Sequence, residues 1–152
     1  MENEITRSVA SPSIVIATAA EAIFYAILGT MKVKKPGNST VVTLSGRVDH
    51  TKAGGFEDRL MALVRENCVT DATVVIDMQN VEYMSSVGLR VLMVAAKFCK
   101  AEGGNVVIAA LNSTMKEIFE ISRFDRIFKV YPTTKDALQE IDPDAVAEWE
   151  QG

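Results

Sequence analysis

Thr73-Val74-Val75-Ile76-Asp77-Met78-Gln79-Asn80-Val81-Glu82-Tyr83-Met84-Ser85-Ser86-Val87-Gly88-Leu89-Arg90 is the stretch whose reading decides the fold. Thr73 to Asp77 is a short β-branched run ended by an acid, the pattern of a strand covered on both faces. Met78-Gln79-Asn80 breaks that run. From Leu89 onward, Leu89, Leu92, Met93, Ala96 and Cys99 recur at helical spacing, with Arg90, Lys97 and Lys100 at more polar positions. Ser85 and Ser86 therefore stand at the mouth of a helix that begins just past a central strand. The first turn of a helix carries unpaired N–H groups and the positive end of the macrodipole, so a serine there caps and an anion there is stabilised. Gly88 in that turn costs about 1 kcal/mol relative to alanine. Its missing side chain points to a close approach by another chain, a ligand or a neighbouring backbone.

Outward from this unit the chain alternates. Met31 to Lys35 reads as an edge strand, and Lys34-Lys35-Pro36-Gly37-Asn38 as a turn that permits antiparallel pairing with Val41 to Gly46. Gly46 to Thr51 leaves the sheet, with Asp49 or Thr51 available to cap a helix that buries Phe56, Leu60, Leu63 and Val64. Beyond Gly103-Gly104, Asn105 to Ala110 is a further buried strand. Asn112 or Ser113 caps a helix turning Met115, Ile118, Phe119 and Ile121 inward. Ile127 to Tyr131 is a last short strand, and Thr133 or Thr134 caps a final helix through Ala137, Leu138 and Ile141. The pattern is α/β, a mixed sheet with an initial antiparallel pair and alternating helices. Residues 142–152 form an acidic tail, with a helical turn held by Trp149 as one reading. Periodicity leaves open whether helices cover one face of the sheet or both.

A length of 152 residues, 48% of them apolar, suits one well-cored domain. A net charge of −4 provides no general basic field, so no direct contact with nucleic acid is expected. His50 is the single histidine, which argues against zinc, and no metal or cofactor is expected. Cys68 and Cys99 have neither metal-like nor redox spacing and read as reduced core thiols, which implies a reducing compartment, most simply the cytoplasm. Neither Gly54-Gly55 nor Gly103-Gly104 matches a phosphate-cradling loop. Met84-Ser85-Ser86-Val87-Gly88 lacks the first glycine of a nucleophile elbow, and Asp49 and His50, adjacent on one loop, make a poor relay. An enzyme is not expected.

Residues 1–30 stand apart. Ile14 to Ala20 and Ala22 to Leu28 are nearly all apolar. The acidic start at Glu2 and Glu4 is the wrong flank for a signal peptide, although Ala17-Thr18-Ala19 resembles a cleavage site. Glu21 near the middle makes a membrane span costly, and no stable insertion is expected. An extra helix packing through Ile23, Phe24, Ile27 and Leu28, or a natural start at Met31 with residues 1–30 not translated, ranks above insertion. The sequence does not separate those two.

Four motifs, in order, resemble the STAS domain of bacterial anti-sigma factor antagonists, covering 31–141. They are Leu44-Ser45-Gly46-Arg47-Val48-Asp49, Val74-Val75-Ile76-Asp77-Met78, Tyr83-Met84-Ser85-Ser86-Val87-Gly88-Leu89-Arg90-Val91-Leu92, and Phe119-Glu120-Ile121-Ser122-Arg123-Phe124-Asp125-Arg126-Ile127-Phe128. The resemblance implies a partner-switching phosphoprotein that regulates sigma-factor-dependent transcription. The unmodified antagonist binds an anti-sigma factor that is also a serine kinase of GHKL type. Phosphorylation at the mouth of the key helix releases it, and a PPM-type phosphatase restores it.

Well-known members read Asp-Ser-Ser-Gly or Asp-Ser-Thr-Gly, with the acceptor just before the glycine. Here Val87 holds that position and Ser85 stands where the aspartate would be. The motif serine that matches is Ser86, which is the expected acceptor, with Ser85 as cap and as the alternative acceptor. The expected partner-binding residues are Asp49, His50 and Thr51 on one loop and Ser85, Ser86, Val87, Gly88 and Arg90 at the helix mouth. The competing reading is a constitutive STAS interaction or ligand-sensing module in which the serines only cap.

Overall fold

In a computed structural model of the chain, residues 31–151 are described. The apolar segments expected between residues 14 and 28 lie outside them. A five-stranded sheet runs in the order β1 (Met31–Lys34), β2 (Thr40–Val48), β3 (Thr73–Met84), β4 (Asn105–Ala109) and β5 (Val130–Tyr131). β1 pairs antiparallel with β2, and every later pairing is parallel. The helices are α1 (Ala53–Asn67), α2 (Ser86–Ala101), α3 (Ser113–Ser122), α4 (Thr134–Ile141) and α5 (Ala145–Gln151), with a 3-10 turn at Phe124–Arg126.

Helices cover both faces. Side chains alternate along a strand, so Val42, Leu44, Val74, Ile76, Val106 and Ile108 meet α1, α2 and α3 through Leu60, Val64, Leu92, Ala95 and Phe119. Val41, Val75, Val107, Ala109 and Tyr131 meet α4 and α5 through Ala137, Leu138, Ala145 and Val146. Completely burying a side chain such as Ile76 or Leu60 stabilises by about 1.5–3 kcal/mol. Three aromatic rings close the first core: Phe119 lies 5.7 Å from Phe124 and 6.4 Å from Phe128, centroid to centroid.

The strands run further than their composition suggests. β2 continues through Gly46 to Val48, and β3 does not stop at Asp77 but reaches Met84. The polar break at Gln79-Asn80 is a bulge: Thr43 and Ser45 of β2 stand opposite Asp77 and Asn80 of β3. The Asp77 carboxylate accepts the Gln79 N–H within it. Met78, Val81 and Met84 keep the extension in the core. The last strand is shorter than expected, since the turn that starts at Phe124 takes in Ile127 and Phe128, whose N–H groups both donate to the Phe124 carbonyl. Ile121, expected inward, is 80% exposed. The buried stripe of α3 passes through Met115, Ile118 and Phe119, and Ile121 falls outside it.

The acidic C-terminal stretch packs on the sheet as α5. Glu148 accepts the Gly37 N–H at 2.9 Å, and Asp142 accepts the Asn38 N–H at 3.0 Å. The Lys34 ammonium sits 5.3 Å from the centroid of the Trp149 ring. The β1–β2 turn is thereby tied to the end of the chain.

Cys68 and Cys99, expected to be reduced thiols, are joined in a disulfide with their Cα atoms 5.0 Å apart. Spacing along the chain carries no sign of it. Because β2 and β3 are parallel, α1 and α2 run back along the sheet in the same direction and end together. Cys68 is the C-cap of α1 and Cys99 lies in the last turn of α2. A cross-link across 31 positions stabilises by about 3–4 kcal/mol in the chain-entropy account. The inference of a reducing compartment from unpaired thiols loses its basis.

Candidate functional site

The end of β2 and the mouth of α2 meet through one backbone bond. The Ser85 N–H donates to the Val48 carbonyl at 2.8 Å, and Val48 pairs with Met84 in the ladder. Asp49-His50-Thr51 leaves β2 directly after this bond, so the two expected halves of the site are neighbours.

Within the mouth the serines differ in what they can do. Ser85 is the N-cap, in extended conformation, and its hydroxyl accepts the Gly88 N–H at 3.3 Å. It is buried. Ser86 opens the helix and is exposed, Val87 is 45% exposed, and Arg90 stands exposed one turn on. A hydroxyl at the first helical position with solvent access combines nucleophile access with a dipole that favours an added anion.

Gly88 faces the other way. A Cβ there would lie 2.6 Å from Met84 Cγ and 3.1 Å from Val48 Cγ1. The close approach its composition implied is thus made by the domain's own β2 and β3 ends.

Asp49 does not cap α1, whose N-cap is Lys52 without a side-chain cap bond. Asp49 Oδ1 instead accepts the Thr51 hydroxyl at 2.6 Å, the Thr51 N–H at 3.0 Å and the Lys52 N–H at 3.2 Å. These bonds, the Thr51 hydroxyl foremost, hold its carboxyl below the usual carboxylate range. The loop is a preformed Asx turn that leaves His50 and Thr51 exposed.

Sequence reasoning overlooked one pair. The Arg47 guanidinium stacks 4.9 Å from the centroid of Tyr83, immediately upstream of the mouth. The signal was available only once both strands were known to extend, since Arg47 and Tyr83 pair across that extension. Elsewhere, a shallow depression is lined by Asp77, Asn112, Thr134, Lys135 and Trp149. Its buried carboxylate is already taken, since Asp77 accepts the Thr134 hydroxyl at 2.8 Å and the Gln79 N–H at 3.0 Å. Among the described residues no cluster of His, Cys, Asp and Glu could hold a metal, and no helix is long and apolar enough to cross a membrane.

Residues 30–137 match the family model of the STAS domain. The chain belongs to the STAS family. A relative described as a candidate anti-sigma factor antagonist, BtrV of Bordetella bronchiseptica, is 36% identical over 90 residues, 59% of this chain and 75% of that protein. The anti-sigma-B factor antagonist of Bacillus subtilis is 25% identical over 107 residues, 70% of this chain and 94% of its own. Among solved structures, an anti-sigma factor antagonist from Mycobacterium paratuberculosis superposes with a TM-score of 0.65 at 28% identity, covering 74% of this chain and 92% of that one. The unphosphorylated antagonist SpoIIAA superposes at 0.62 with 16% identity, over 75% and 97%, a likeness of STAS fold alone.

Proposed function

We propose that this STAS protein is an anti-sigma factor antagonist that works by partner switching and has no catalytic activity of its own. In the unmodified state the surface formed by Asp49, His50 and Thr51 with Ser86, Val87 and Arg90 docks on an anti-sigma factor that is also a GHKL-type serine kinase. Sigma factor is then released in the cytoplasm. The kinase phosphorylates Ser86, the antagonist dissociates, and a PPM-type phosphatase resets it.

The observation that carries this reading is the division of labour at the mouth of α2. Ser85 is buried and spends its oxygen on the Gly88 N–H, while Ser86 is exposed one residue later beside the β2–α1 loop. A phosphoryl group on Ser86 adds roughly −1.5 to −2 charges at a helix N-terminus. The domain tolerates it there, but a closely packed interface does not.

Incubation with a GHKL-type kinase and ATP, read by intact mass and phosphopeptide mapping, tests the proposal. One phosphate on Ser86 with loss of kinase binding supports it. A kinase that binds without modifying the chain would instead make it a constitutive STAS interaction module. Labelling of Ser85 or Ser86 by a fluorophosphonate probe would make it an acyl-transfer enzyme.

A further inference from the structure

The Cys68–Cys99 bond lies at the opposite end of the helices that carry the proposed docking surface. Cys68 is 2% exposed and Cys99 is fully buried. The chain between α1 and β3 passes close to the Cys99 sulfur at Gly104. A Cβ on Gly104 would come within 3.0 Å of both Cys99 Sγ and the Val69 carbonyl, and within 2.9 Å of the Ala72 carbonyl. Sulfur and loop therefore converge on one point where only glycine fits.

This loop is thinly held. Val69 is 58% exposed, and Asp71 turns the chain at a φ of 65°. Its backbone bonds are local: the Val69 N–H donates to the Asn67 carbonyl at 3.1 Å, and the Ala72 N–H to the Val69 carbonyl, the Asp71 N–H to the Gly103 carbonyl and the Asn105 N–H to the Ala72 carbonyl each at 2.9 Å. Opening residues 69–72 breaks the Asn105–Ala72 bond at the end of the β3–β4 ladder and leaves the register from Thr73 and Asn105 onward in place. A small reductant or oxidant reaches the pair by that local step rather than by global unfolding.

We propose that Cys68 and Cys99 form a reversible redox clamp on the α1–α2 pair, made and broken by exchange with the low-molecular-weight thiol pool. In the oxidising direction the two protein thiols react with glutathione disulfide through a mixed disulfide. The Cys68–Cys99 bond forms, the glutathione S–S bond breaks, and two electrons and two protons pass to yield two glutathione molecules. The reverse reaction opens the clamp. A protein working in the cytoplasm meets a thiol pool that disfavours permanent disulfides. That part of the inference rests on the proposed function; the pairing of the two cysteines and its effect on the helices do not.

The full chain, equilibrated in buffers of varied glutathione to glutathione disulfide ratio and quenched with iodoacetamide, reports the state by intact mass. Molecules should carry either two alkyl groups or none, switching over a defined range of ratios. Tm should fall by roughly 10 °C on reduction. Amide exchange should rise in residues 67–72 and 102–105 and in the last turns of α1 and α2. The doubly substituted Cys68→Ala, Cys99→Ala chain should match the reduced protein and ignore the ratio. Two reactive thiols at every ratio, or glutathione adducts on single cysteines only, would overturn the clamp. So would a disulfide that forms with neither Tm nor exchange changing. None of these readouts requires a kinase, so failure here and failure of the proposed function are separable.

Discussion

The Ser85 amide donates to the Val48 carbonyl at 2.8 Å, which brings the last residue of β2 against the N-cap of α2. Through that one bond the Asx turn at Asp49 and the serine pair become one surface. On the proposed reading, a partner that docks on Ser86 should meet His50 and Thr51 as well.

Asp49→Ala should therefore weaken partner binding by more than its effect on melting explains. The Asp49 carboxyl is depressed by its bonds to Thr51 and Lys52. Its folded value lies below its unfolded value, so the turn is fully held above the ordinary carboxylate range and released only as pH falls through the folded value. Amide shifts of Thr51 and Lys52 should follow this titration in acid and stay flat near neutrality. Unchanged binding alongside lowered stability would restrict Asp49 to a structural part.

Ser86→Ala should abolish phosphorylation and leave the partner bound, while Ser86→Asp should weaken binding through its added charge. Isothermal titration against the partner, paired with phosphopeptide mapping, reads both. A phosphate found on Ser85, with the Ser86→Ala chain still modified, would reverse the assignment.

Ser85→Ala removes the acceptor for the Gly88 N–H and should cost about 1 kcal/mol in urea denaturation. Phosphate transfer to Ser86 should persist at temperatures where the variant is folded. Loss of transfer without loss of stability would show that Ser85 acts on the chemistry as well as on the cap.

Gly88→Ala sets two effects against each other. Helix propensity favours alanine by about 1 kcal/mol, but overpacking costs about 1–3 kcal/mol. The new methyl would meet Met84 Cγ at 2.6 Å and Val48 Cγ1 at 3.1 Å, so crowding should win by about 1 kcal/mol. Combining it with Met84→Ala should give a double-mutant cycle with favourable coupling. Additive losses would mean that Gly88 is not held against Met84.

Asp142→Ala should destabilise by about 1 kcal/mol, because it removes the acceptor of the exposed Asn38 N–H and of the part-buried Ser39 hydroxyl. Exchange at residues 37–39 should rise while exchange in β3 is unchanged. An unaltered melting curve would mean that the Asp142 bonds add nothing to the hold that Ala145, Val146, Glu148 and Trp149 have on the sheet and the β1–β2 turn.

What the sequence by itself determined is local or periodic: the buried Thr73 to Asp77 run, the helix entered at Ser86, its cap at Ser85, and later caps narrowed to Asn112 or Ser113 and to Thr133 or Thr134, of which the structure takes Asn112 and Thr133, each set by residues within four positions of one another. Sequence motifs likewise carried the STAS resemblance from Leu44 to Phe128. Only the tertiary structure decided features in which distant segments meet. Gly46 and Gln79-Asn80 have the composition of chain breaks, yet they stay in the sheet because β2 and β3 pair across a bulge. Gly88 has no side chain because Met84 and Val48 fill its space. Cys68 and Cys99 meet because parallel strands make α1 and α2 end side by side, 31 positions apart in the chain. Propensity and periodicity act over one or two turns, whereas these contacts depend on how whole elements pack: Val48 and Gly88, Gly46 and Val81, and Cys68 and Cys99 each lie more than thirty positions apart.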